Sequence, residues 1–140
     1  MVTQPLVFIG GGGHARSLLS LAQHNEEKYY FLAYSNQSRN TYLSYYLAGF
    51  VDFNSETKFP FGPYLGTDLT QLQSFSEGAF VIAIGHLPFA QSRKHIAQQL
   101  ATLDLNVASP IVAATATIGF QVTLGDGTVV FHHVFLNTNV

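Results

Sequence analysis

Four consecutive glycines and a histidine, Gly10 to His14 in VFIGGGGHARSLLSLA, stand between an apolar run and a segment of helical period. A glycine turn at the mouth of a helix aims unpaired backbone N–H groups at whatever lies above it, and anions, phosphate above all, bind there. Gly10, Gly12 and Ala15 fit G-x-G-x-x-A, the pattern of a dinucleotide site. Two readings stand: an anion-binding turn, or a tight reversal whose glycines only let the chain pack. A neutral imidazole at His14 can donate to a phosphate or a sugar hydroxyl, or it can cap the turn. Asp52, in GFVDFNS, can accept from a ribose or sugar hydroxyl, or serve as a turn residue ahead of Asn54 and Ser55. Arg93 can pair with phosphate or sit on a solvated helix surface.

These residues need elements to hold them. Leu6 to Ile9 reads as a strand buried on both faces, and Ala15, Leu18, Leu19 and Ala22 share one face of a helix that fades around residues 24–27. The tyrosine-rich stretch from Tyr29 to residue 48 has no clear period and stays unassigned. Residues 49–55 read as a second strand ending at Asp52, and KFPFGPYLG at 58–66 as a loop. A short helix follows, with Thr67 or Asp68 as N-cap. AFVIAIG at 79–85 has the character of a central parallel strand whose end, at Gly85, borders a ligand crevice. The next helix carries Phe89, Ala90, Ile96, Ala97 and Leu100 on one face, and residues 106–109 form a last short strand before Pro110.

After Pro110 the period changes. Val112, Ile118, Leu124, Val130 and Leu136 recur every six residues, with Ala116, Val122, Thr128, Val134 and Val140 in step, and glycine follows at Gly119 and Gly125. Neither a helix nor an alternating strand gives this period; it is a hexapeptide repeat, each hexad one flat face of a parallel β-helix. Three hexads complete a coil, and a solenoid coil buries its apolar face only against neighbours. The expectation is therefore the front part of a longer protein, because the pattern at Val140 has no capping element.

Composition limits the remaining possibilities. A net charge of -2 with 10% charged residues gives no basic field for nucleic acid. The chain contains no cysteine, which removes disulfides and thiolate metal sites and fits a cytoplasmic location. The six histidines show no metal-ligand spacing, so no metal is expected. The run at 79–84 is far shorter than the ~20 residues of a membrane span, and no basic leader opens the chain.

GGGGHA, FVDF, VIAIG and the step from ASP through TATIG into hexads together resemble the acetyltransferases that act on the 4-amino group of UDP- or TDP-linked sugars, with the sialic acid O-acetyltransferases of the same family. The resemblance implies an α/β fold: a small Rossmann-like parallel sheet domain over residues 1–109, then the first coils of a left-handed parallel β-helix over 110–140. It implies that Gly10, Gly12, Gly13, His14, Asp52, Gly85 and Arg93 line a nucleotide-sugar pocket. It further implies acetyl-CoA as co-substrate and a homotrimer in the full-length protein. The family often has two adjacent acidic residues at the second strand, where this chain has Asp52 and Phe53. Its catalytic base is a histidine on a later coil, expected beyond Val140; His132 and His133 lie about one coil too early and are expected at a corner or facing a trimer axis. Two other functions remain: a non-catalytic nucleotide-binding or assembly module, and an NAD-binding protein, for which the chain has no room for the second half of a dinucleotide fold.

Overall fold

The computed structural model describes residues 3–25, 27–37, 41–75, 78–85 and 92–140, with the backbone only for 41–43. β1 (Gln4–Ile9) leads through the glycine turn into α1 (Gly13–Leu19). Leu6, Val7, Phe8 and Ile9 are completely buried, as an apolar run covered on both faces must be. α1 is shorter than its periodicity suggests. Leu21 and Ala22 close the end with bonds to Leu18 and Leu19, and residues 23–25 form β2 (Gln23–Asn25), which pairs antiparallel with β3 (Lys28–Tyr34). Tertiary pairing thus takes the segment where a helical pattern would have run on.

The tyrosine-rich stretch is β3 and the first part of β4 (Thr41–Val51), a long antiparallel hairpin. A 3-10 helix (Leu69–Phe75) follows, with the Asp68 carboxylate accepting from Thr70 N–H at 3.0 Å. β5 (Ala79–Ile82) and α2 (Ser92–Thr102) complete the first part. Ile96 and Leu100 of α2 are buried, but Ala97 is exposed and not on the packed face; Phe89 and Ala90 lie outside the described residues.

The sheet runs β5-β1-β4-β3 and continues into β6 (Ile111–Val112) and β8 (Val129–Val130). β1 is parallel to both β4 and β5, whereas β3 is antiparallel to β4 and to β6. The fold is therefore mixed α/β with a parallel-rich sheet, not the wholly parallel sheet expected. β5 is not central either. β1 lies on one side of it, and on the other a single bridge from Phe80 to Val107 is all that forms where a strand was expected at 106–109.

The segment after Pro110 pairs with itself. β6 is parallel to β8, and β7 (Thr117–Ile118) to β9 (Phe135–Leu136), so that Ile111 meets Val129 and Thr117 meets Phe135, each eighteen residues on. All five members of the Val112 series pack in one apolar cluster with Tyr34, joined by Ala116, Val122 and Val134. β3 holds this cluster at its near end. Asn36 donates to the Leu124 carbonyl at 2.8 Å and accepts from its N–H at 2.9 Å, so one side-chain amide does the work of a strand neighbour. Tyr34 OH donates to the Val122 carbonyl. Tyr34, Asn36 and the pairing of β3 with β6 thus join the first part of the chain to the segment after Pro110. Replacing Asn36 with Ala removes both bonds and should lower stability by about 1–3 kcal/mol, read from the urea midpoint at unchanged m-value.

Candidate functional site

Register brings the site together. Ile9 pairs with Val51 on one side and with Ile82 on the other, so three parallel strands end level. The residues that follow, Gly10 to His14, Asp52, and Ala83 to Gly85, meet at one edge, in the crevice where open α/β sheets take ligands. Gly10, Gly12, Gly13, His14, Asp52 and Gly85 line one cleft of about 330 Å³ with Ala83 and Ile84. A second cleft of about 330 Å³ opens beyond His14, between Arg93 and the segment Gly127, Thr128, Val129 and Phe131.

The four glycines divide into two pairs. Gly10 has φ +113°, and a Cβ there would stand 2.9 Å from the Ala83 carbonyl oxygen and 2.8 Å from Ile84 Cγ1. At Gly11 a Cβ would stand 2.8 Å from the Phe50 ring. The protein's own packing requires both. Gly12 and Gly13 have no heavy atom within 4 Å of a Cβ position and take ordinary φ values. Packing does not explain them; open space above backbone N–H groups does, because it lets another molecule approach the chain closely.

Asp52 holds this turn. One carboxylate oxygen accepts from Gly11 N–H at 2.9 Å and the other from Asn54 N–H at 2.8 Å. It is a turn residue and a cleft residue at once, its second bond closing the turn toward Asn54. Arg93 is not on a solvated helix surface. Its guanidinium reaches back to donate to the carbonyls of Ile82, at 3.3 Å, and Ile84, at the end of β5. Gly85 lies beside His14, a Cβ there being 3.9 Å from that of the histidine.

His14 links the two clefts, its ring edge-on to Phe131 with centroids 6.1 Å apart. Burial, and after it the positive charge of Arg93, hold the His14 pKa below its ordinary 6.5. At neutral pH the ring is therefore uncharged, a donor at one nitrogen and an acceptor at the other. The folded-state pKa lies below the unfolded one. The neutral ring's contribution to stability is therefore present above about pH 6.5 and is lost as pH falls through the lowered value. An NMR titration should find His14 Cε1–H titrating below 6.5, and the acid-side fall in stability should be shallower in His14→Phe.

His132 does different work. Nε2 donates to the Ser20 carbonyl at 3.0 Å, because a carbonyl can only accept, and Nδ1 shares a hydrogen bond with the Thr115 hydroxyl at 3.0 Å. Thr115 Oγ1 also accepts from His133 N–H at 3.0 Å. With both ring nitrogens engaged, His132 is a bracket between the end of α1 and the segment after Pro110. Together, His14 on Phe131 and Ser20 on His132 fasten both ends of α1 to one stretch of that segment.

Phe131, Ile84 and the 127–129 segment are the cleft residues that sequence reasoning missed. Ile84 sat within the quoted strand and its neighbour Gly85 was chosen; Phe131 meets His14 only through the fold, and no local pattern marks it. Among the described residues, no group of three or more His, Cys, Asp or Glu is placed to hold a metal ion, and no helix is long and apolar enough to cross a membrane.

The fold is shared with solved structures of acetyltransferases. The acetyltransferase domain of PglB from Neisseria gonorrhoeae FA1090 is 20% identical with a TM-score of 0.61, the match covering 98% of this chain and 60% of that one. The same domain in complex with acetyl coenzyme A gives 20% and 0.59 over 99% of this chain and 60% of that one. A point mutant of perosamine N-acetyltransferase from Caulobacter crescentus, in complex with CoA and GDP-perosamine, gives 19% and 0.57 over 99% of this chain and 56% of that one. The chain thus spans less than two thirds of the length of these structures, and at such identities the likeness is one of fold. Among curated proteins none matches the chain in sequence. The chain belongs to the PglD N-terminal domain family, whose model matches residues 5–100, from β1 through most of α2.

Proposed function

We propose that this chain is the nucleotide-sugar-binding, N-terminal part of an acetyltransferase that moves acetyl from acetyl-CoA to an amino or hydroxyl group of a nucleotide-linked sugar in surface glycan synthesis. The observation that carries the proposal is the single cleft that gathers Gly10, Gly12, Gly13, His14, Asp52 and Gly85, open above the two glycines that packing does not require. The diphosphate of a UDP- or TDP-linked amino sugar lies over Gly12 and Gly13, and neutral His14 donates to a phosphate or sugar oxygen. Arg93 acts from the rim, adding positive charge without leaving the β5 carbonyls. Family membership supports this assignment.

Residues 1–109 form the binding domain in this proposal, and 110–140 begin a left-handed hexapeptide β-helix. The eighteen-residue register of the parallel pairs, three hexads, supports the second part. The longer protein is a cytoplasmic homotrimer holding acetyl-CoA along its coils, as the acetyl-CoA complex of the PglB domain suggests. There the sugar amine or hydroxyl attacks the thioester carbonyl, a general-base histidine takes its proton, and coenzyme A leaves as the thiol after gaining a proton. That base and most of the coenzyme A site belong to the longer protein, so this chain binds nucleotide without transferring acetyl.

Calorimetric titration with UDP, TDP, GDP and NAD tests the proposal. A nucleoside diphosphate should bind more tightly than NAD and lose at least tenfold in affinity in His14→Ala, a hydrogen bond to a charged group contributing about 1.5–3 kcal/mol. Preference for NAD, or indifference to His14, would overturn it.

A further inference from the structure

A third recess adjoins the glycine cleft through Ile84, as the Arg93 cleft adjoins it through His14. Phe53, Ile84, Ser92, His95, Ile96 and Gln99 line it, around a volume of about 330 Å³. Its apolar members come from the ends of β4 and β5 and from the buried face of α2. Its polar members, Ser92, His95 and Gln99, all stand on α2.

Phe53 is the unusual residue. It follows Asp52 directly, so its backbone is tied to the carboxylate that holds the glycine turn, yet its side chain is 53% exposed and belongs to none of the three apolar clusters. A lone exposed phenylalanine is ordinary; one on the wall of a recess, one residue from a phosphate-sized cleft, offers a flat apolar surface to a bound molecule. A molecule fitting there has a planar apolar face for Phe53 and Ile84 and a polar edge for the α2 side chains. That is the chemistry of a nucleobase, and π-faces stack whatever the base.

We propose that Phe53 is the platform on which the heterocyclic base of the bound nucleoside diphosphate stacks, with Ile84 dividing the base recess from the phosphate cleft. The sugar end of the ligand then points the other way, past His14 toward Phe131 and Thr128. The direction of the ligand rests on the nucleotide-sugar proposal above; the platform does not, since it depends on the recess alone. Because a stacked face carries little sequence information, the recess should accept pyrimidine and purine diphosphates within a narrow range of affinity.

The test uses the 140-residue chain and its Phe53→Ala and Phe53→Trp variants, with UDP, GDP, coenzyme A and inorganic pyrophosphate in calorimetry, and uridine in saturation-transfer NMR. Phe53→Ala should weaken UDP and GDP by roughly ten- to a hundredfold. It should leave pyrophosphate unchanged and abolish the uridine signal, while Phe53→Trp restores it. Thermal melts should coincide, the ring being half in solvent. If UDP binds and responds to His14→Ala but not to Phe53→Ala, the platform is overturned and the nucleotide-sugar proposal stands. If uridine needs Phe53 but no diphosphate responds to His14→Ala, the platform stands and that proposal falls. Loss confined to coenzyme A would assign the recess to the adenine of that co-substrate and not to the base of the nucleoside diphosphate in the glycine cleft, overturning the inference, and absence of binding by every probe would overturn both.

Discussion

Gly10→Ala should destabilise the chain by about 2–5 kcal/mol, whereas Gly13→Ala should leave stability unchanged or raise it by up to about 1 kcal/mol. The two residues stand three apart in an unbroken run, and only the structure separates them. At Gly10 the backbone has φ +113°, and the new Cβ would press on the carbonyl of Ala83, which directly follows β5 and is held to β1 by its N–H bond to the Ile9 carbonyl, so it cannot yield freely. Strain at φ and overpacking against backbone therefore add. At Gly13, the first residue of α1, the conformation is helical and the space is empty. Alanine there lowers the entropy of the unfolded chain without clash. Its cost should show in ligand affinity instead, because the methyl group occupies the approach to the backbone N–H groups. Urea denaturation and UDP calorimetry on the same two variants separate the effects. Equal stability of the two variants would contradict this division of the glycine turn.

The second large effect is expected at Asp52. Asp52→Ala should lower stability by about 3 kcal/mol and Asp52→Asn by about half as much, hydrogen bonds to a charged acceptor contributing about 1.5–3 kcal/mol each. Both carboxylate oxygens are in use, on Gly11 N–H and Asn54 N–H, and alanine leaves the first of these donors without its partner in a partly buried turn. Asparagine keeps one neutral acceptor. Nucleotide affinity should fall in step with the loosened turn, and amide hydrogen exchange should show Gly11 N–H losing protection in both variants. Unchanged protection at Gly11 would show that the turn is held by other contacts.

Much of the site was legible because parallel strands leave an unmistakable trace. Runs such as LVFI and AFVIAI are apolar throughout, are each followed by glycine, and must finish at the same edge if they pair in parallel. That logic placed Gly10, Asp52 and Gly85 together before any coordinates. The six-residue spacing after Pro110 is legible in the sequence itself, and the structure pairs residues eighteen apart along that segment. The tyrosine-rich hairpin was not. Its strand β3 is antiparallel to both neighbours and carries aromatic residues on both faces, so no alternation marks it. Its role lies in Asn36 and Tyr34, which bond to Leu124 and Val122 far along the chain. For Arg93 the sequence left phosphate pairing and a solvated surface open, because helical position says nothing about a side chain that folds back over β5; α1 was drawn too long because pairing of β2 with β3 outweighs local propensity.

The bonds from β3 to β6, from Asn36 to Leu124 and between Ser20 and His132 tie the part that carries the glycine cleft rigidly to the segment after Pro110. The sheet works as a ruler. The surface above His14 and the segment after Pro110 keep a constant separation, fixed by hydrogen-bond lengths and not by diffusion of one part about another. Such a frame needs no hinge closure to bring two bound molecules into line; it only needs each to be held in its own place.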